Sequence, residues 1–125
     1  MHLPVDICLK ISYNNYIKMK KEEKMIVKVL HREQNGYDEV AIVNAPTNDI
    51  DQALEYAYRW TNNIEGSWSK NIGSDANDNV IAIKFREDGL GLRSTMSTDR
   101  MIIENDLYEV MPFGFELIRE IRETA

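Results

Sequence analysis

The residues best equipped for chemistry are Arg93, Ser94, Thr95, Ser97, Thr98, Asp99 and Arg100. Two guanidiniums and four hydroxyls this close together could hold a phosphate or a carboxylate. Arginine would supply its planar fork and Ser/Thr adaptable donors. The same residues also read as a turn between strands, where Ser, Thr and Asp bond to nearby backbone and Asp99 pairs with a neighbouring arginine. A second group is Asn62, Asn63, Glu65, Trp68 and Ser69. Trp68 in a polar stretch could serve as a recognition or base-stacking surface. It could equally fold back and close the end of the core, because a large aromatic is usually well buried. Tyr108 is a further stacking candidate. Together these suggest a nucleotide site, with Arg93 and Arg100 on phosphate and Trp68 or Tyr108 on a base. That reading requires Trp68 and Arg93 to line one cleft.

Catalytic readings are weaker. His31 falls in an expected strand, and no Ser or Cys can be paired with it from sequence. Glu65 with Arg93 could serve a transferase or phosphodiesterase, but an exposed carboxylate at a helix end is the simpler reading. Gly89-Leu90-Gly91 is too sparse for a phosphate loop. Tyr56 and Trp60 have the i,i+4 spacing of a packing pair. One cysteine, Cys8, and two histidines, His2 and His31, do not make a zinc site. No cofactor or metal is expected.

These groups must be positioned by elements that periodicity predicts. Asp49 to about Ile64 reads as one long amphipathic helix. Asp49 is its N-cap, with Gln52 three residues on to reach back, and Ile50, Ala53, Leu54, Ala57, Thr61 and Ile64 share one face. Gly66 ends any helix that reaches so far. Met25–Arg32 and Tyr37–Asn44 read as strands joined at Asn35-Gly36, a strong hairpin signal. Ser67–Asn79 is polar and loop-like, and Val80–Phe85 is a strand. Arg100–Glu104 and Leu107–Met111 form a second hairpin about Asn105-Asp106. Phe115–Ile118 closes a sheet or starts a short helix. The expected fold is α+β, a small antiparallel sheet of hairpins packed against one long helix.

At 125 residues the chain is one domain, large enough to bury a core without disulfides or metal. A single cysteine excludes an internal disulfide and fits a reducing cytoplasm. No apolar run approaches the roughly 20 residues that cross a bilayer, so no membrane partner is expected. The net charge of −6 is uneven. Residues 1–32 hold seven Lys/Arg against three Asp/Glu, and residues 33–125 hold eight against eighteen. An acidic body cannot neutralise phosphates, which argues against nucleic acid as a partner. Its carboxylates are scattered, unlike the regular rows a DNA mimic needs.

Residues 1–24 stand apart. Val5, Ile7, Leu9 and Ile11 alternate with polar residues, and a basic run then precedes Met25. Lys-Glu-Glu-Lys-Met is also what a purine-rich ribosome-binding site encodes when read in frame ahead of a start codon. Met25 is therefore expected to be a second start, with 1–24 as an extension. The alternative is an ordinary edge strand and linker, with residues 25–125 forming the α+β domain either way.

Three spaced patterns carry a resemblance: Thr61-Asn62-x-Ile64-Glu65-x-x-Trp68, Arg93-Ser94-Thr95-x-x-x-Asp99, and Tyr108-x-Val110-x-x-x-Gly114-Phe115. In this order they resemble a group of small proteins of unknown function carried by phages, plasmids and related mobile elements. The likeness spans about Met25 to Ile118. It departs at Thr98, where a glycine before the Asp is expected. It implies a mobile-element origin and a compact α+β fold, and no activity. The leading expectation is a non-catalytic binding protein in the host cytoplasm that captures a host or defence component, either a protein or a nucleotide signal. A nucleotide-acting enzyme and a structural or assembly protein are the alternatives. Free strand edges would favour a homo-oligomer.

Overall fold

The computed structural model describes residues 24–64, 66–71 and 76–120. Of the expected N-terminal arm, residues 1–24, all but Lys24 lies outside them, as does Glu65. Six strands form one antiparallel sheet: β1 Met25–Glu33, β2 Gly36–Ala45, β3 Val80–Ala82, β4 Arg100–Ile103, β5 Asp106–Val110 and β6 Phe115–Glu120. Their order across the sheet is β3-β2-β1-β4-β5-β6. Among the described residues there is one helix, α1 (Ile50–Trp60), which lies on one face over β1 and β2. The α+β class is as expected, but the helix is short.

Alternation along β1 explains which face is covered. Val27, Val29 and His31 are buried, while Ile26, Lys28 and Leu30 point the other way. Val27 faces Val43 on β2 and Ile103 on β4, and Val29 faces Ala41 and Met101. These side chains form the floor of the core. Ala53, Leu54 and Ala57 of α1 are its roof, and the two alanines let the helix approach the sheet closely.

The helix starts where expected. The Asp49 carboxylate accepts from Gln52 N at 3.0 Å. The reach-back runs through Thr47, whose hydroxyl donates to Gln52 Oε1 at 2.8 Å and accepts from Asp49 N at 3.1 Å. The helix ends a turn earlier than its apolar stripe predicts. Thr61, the C-cap, donates its hydroxyl to Ala57 O, and Asn62 turns its amide back onto Tyr58 O. Asn63 then spends its side chain on Leu92 O and Trp68 N. Three successive residues thus offer the backbone partners that compete with helix propagation. Ile64 falls beyond the helix and is exposed.

Both expected hairpin turns are displaced by one residue. Glu33 pairs with Gly36, so Gln34-Asn35 turn and Gly36 opens β2 with φ +131°. Ile103 pairs with Asp106, so Glu104-Asn105 turn. Residues 115–120 form a strand, which settles the choice left open for Phe115–Ile118. No helix among the described residues is long and apolar enough to cross a membrane.

Candidate functional site: a buried imidazole, hydroxyl and carboxylate network

The Arg93–Arg100 stretch packs over the His31 end of the core and is stitched to the residues after α1. Thr95 N donates to Thr61 O, and Asn63 N donates to Ser94 Oγ. Trp68 is enclosed by this seam, 1% exposed, with its indole Nε1–H on Arg93 O at 2.8 Å. Its edge meets the His31 ring at 6.2 Å between centroids. Trp68 and Arg93 are therefore neighbours, but they do not line one cleft: Trp68 is enclosed in the core, while the Arg93 side chain is partly exposed. The tryptophan ring is a packing element with no face offered to a ligand.

At the centre stand four buried polar residues, His31, Thr61, Thr95 and Asp99. Asp99 accepts Arg93 Nη1 at 2.7 Å and Nη2 at 2.8 Å, a bidentate fork, together with the backbone N–H of Arg32 and of Met96, each at 2.8 Å. Burial alone would raise the Asp99 pKa. The Arg93 fork and the two backbone donors outweigh it and hold the carboxyl below its ordinary range. Arg93 also donates Nη1 to Ser94 O and Nη2 to Arg32 O. Both terminal nitrogens are thereby occupied, and its pKa is raised, chiefly by the bond to Asp99. An incoming phosphate or carboxylate would have to displace Asp99, the buried and fully bonded partner.

The hydroxyl chain fixes the histidine tautomer. Thr61 donates its one hydroxyl proton to Ala57 O at 2.7 Å. At the 2.7 Å contact between the two threonines, Thr95 must therefore be the donor. The Thr95 oxygen is then the acceptor in its 2.9 Å contact with His31 Nε2, so Nε2 carries a proton. One directed chain results, from His31 Nε2–H through Thr95 and Thr61 to a helix carbonyl. Desolvation brings the His31 pKa down from 6.5 to about 4; the Asp99 charge opposes this, and Arg93 and Lys84 add to it. The ring is neutral at pH 7.

This polarity bears on catalysis. A nucleophilic threonine would have to donate to an unprotonated histidine nitrogen. Thr95 and His31 are arranged the other way round. Nor does Asp99 orient the ring, since its carboxylate lies 3.9 Å from Nε2, the nitrogen already committed to Thr95.

A small cleft of about 260 Å³ opens outside the network, lined by His31, Glu33, Lys84, Arg86, Leu92 and Arg93. Its three cations each hold their own carboxylate: Lys84 with Asp38, Arg86 with Asp88, and Arg93 with Asp99. Of the other expected site residues, Asn62 caps the helix and Ser94 accepts from Asn63. Arg100 pairs across the sheet with Leu30, on the face opposite His31. Its guanidinium lies 4.5 Å from the Tyr37 ring centroid and bonds Glu109 at 3.1 Å. Tyr108 faces the core from β5, beside Leu117, and joins none of the network's hydrogen bonds. Gly89 and Gly91 serve a turn and a close approach. Gly89 has φ +79°, and a Cβ on Gly91 would lie 2.1 Å from Ser67 Oγ.

Sequence reasoning missed His31 and Thr61 as network members. The odd-numbered apolar positions of β1 point inward, which places His31 in the core and obliges it to find a polar partner. Which partner is decided by contacts 64 and 34 residues apart. Among the described residues no cluster of His, Cys, Asp or Glu could hold a metal ion. No family model matches the chain, and neither a curated protein nor a solved structure matches it.

Proposed function

We propose that the chain is a non-catalytic binding protein of phage or mobile-element origin that captures a protein of the host cell or its defences. The observation that carries this reading is the hydrogen bonding that occupies His31 Nε2, Thr95, Asp99 and the terminal nitrogens of Arg93. The Thr95 hydroxyl, the Asp99 carboxylate and the Arg93 fork spend their donors and acceptors on one another, on His31 Nε2, on Thr61 and on backbone. A protein target is favoured over a nucleotide because Trp68 is enclosed and the Arg93 fork is held by Asp99. The mobile-element origin rests on the three-pattern resemblance.

Two measurements on the full chain test this. Thermal shift and turnover assays against nucleotides and cyclic dinucleotides should show no stabilisation and no product. Affinity capture from a host lysate should retain a stoichiometric protein. A nucleotide that raises the melting temperature, with the effect lost in Arg93→Lys, would replace this reading with a nucleotide sponge. A concentration-dependent mass of the isolated chain, with no captured partner, would favour an assembly role.

A further inference from the structure

Among the described residues the sheet ends on two edge strands, β3 and β6. β3 offers a ladder of three residues, whereas β6 offers six, Phe115–Glu120. A free edge presents unpaired backbone N–H and C=O groups and is a template for a further strand. The side chains from Glu116 to Arg119 are all exposed, and Leu117 and Ile118 are 54% and 39% accessible. Glu116 and Arg119 find no counter-charge in their own sheet. Glu116 faces Glu109 on β5, a like-charge pair, and Glu109 already holds Arg100 at 3.1 Å. Arg119 faces Leu107. Among the described residues neither Glu116 nor Arg119 makes an ion pair.

A bulge in β6 sets these two charges on one face. Leu117 and Arg119 face Tyr108 and Leu107, which are consecutive, so Ile118 is an extra residue in the strand. Glu116 and Arg119 thus face Glu109 and Leu107, which alternate on β5, and both project from the side of the sheet away from the core. A second copy of this chain matches that edge. In a two-fold antiparallel pairing the residue on the axis meets itself. Glu116 or Arg119 there would oppose its own charge, Phe115 would leave most of the strand unpaired, and Ile118 is the bulged residue. The axis therefore falls at Leu117. Leu117 then packs on its own copy, and Glu116 of each copy stands opposite Arg119 of the other.

We infer that the chain forms a two-fold dimer through β6, with Leu117 on the axis, two Glu116–Arg119 pairs flanking it, and the sheet continuing from one copy into the other. The pairing neutralises a carboxylate and a guanidinium that the single chain leaves unpaired, and it covers an exposed leucine. This goes beyond the binding reading, which neither requires nor forbids a second copy.

Sedimentation velocity of the full chain over a concentration series reads the association, and circular dichroism confirms that each variant is folded. The mass should rise from monomer to dimer with concentration. Glu116→Arg and Arg119→Glu, both at exposed positions, should each weaken the dimer by about tenfold or more, because both flanking pairs become like-charged. An equimolar mixture of these two variants should associate again, since each chain supplies the charge that the other lacks. Leu117→Lys sets two like charges on the axis and should leave a folded monomer. A chain that is monomeric at every concentration, a dimer indifferent to both charge reversals, or a mixture that fails to associate would each overturn the proposal. So would a monomeric chain that captures a lysate protein and loses it in Leu117→Lys, which would assign the edge to a different partner.

Discussion

Trp68 Nε1–H donates to the main-chain carbonyl of Arg93 at 2.8 Å, inside a core where the tryptophan is 1% exposed. One bond thus ties the segment after α1 to the segment before β4. Trp68→Phe keeps an aromatic ring but orphans a carbonyl in a buried seam. The expected loss is about 1–3 kcal/mol of unfolding free energy, read by denaturant titration. A change within a few tenths of a kcal/mol would mean that the indole bond contributes nothing.

His31 makes stability depend on pH in a defined direction. Its folded pKa is depressed from 6.5 to about 4, so between those values the unfolded chain binds more protons. Stability from this residue is fully present above about pH 6.5 and is lost as pH falls toward 4, by about 3 kcal/mol in all. Asp99, also depressed, extends the loss below its ordinary carboxyl range. In His31→Gln the first part of that fall should flatten. An unchanged pH profile in the variant would show that His31 is not the titrating group.

Thr98 is held at φ +78°, a conformation that costs a β-branched residue about 1–2 kcal/mol. It is kept there by Thr98 N on Val110 O and by the Tyr37 hydroxyl on Thr98 O. This is also the position where the resemblance leads one to expect glycine. Thr98→Gly should raise the melting temperature, with a net gain of about 0.5–1 kcal/mol after the larger unfolded-state entropy of glycine is subtracted. A lower melting temperature would show that the threonine side chain contributes more than its strain costs.

Gly91 is required for space. A methyl group there meets Ser67 Oγ at 2.1 Å and Ser67 Cβ at 3.1 Å. Gly91→Ala should destabilise by about 1–3 kcal/mol, and Ser67→Ala in the same chain should recover part of that loss. Simple additivity of the two substitutions would show that the crowding lies elsewhere.

Local physics made much of this fold legible in advance. The helix start at Asp49, the paired strands about residues 34–36 and 104–105, and the inward face of β1 follow from period, capping and turn chemistry within a few residues of chain. The helix end did not, because it depends on Thr61 and Asn63 finding partners in the 92–95 segment. The orientation of Trp68 was undecidable from its polar neighbours, since both a docking surface and a core plug satisfy that pattern. The choice was made by a carbonyl 25 residues away. The cluster of Arg, Ser, Thr and Asp at 93–100 told the same story, with donors countable in the sequence but acceptors supplied only by tertiary contact. Composition and periodicity determined an acidic α+β domain with one capped helix. Only the packed structure decided that its most reactive-looking side chains hold the core together.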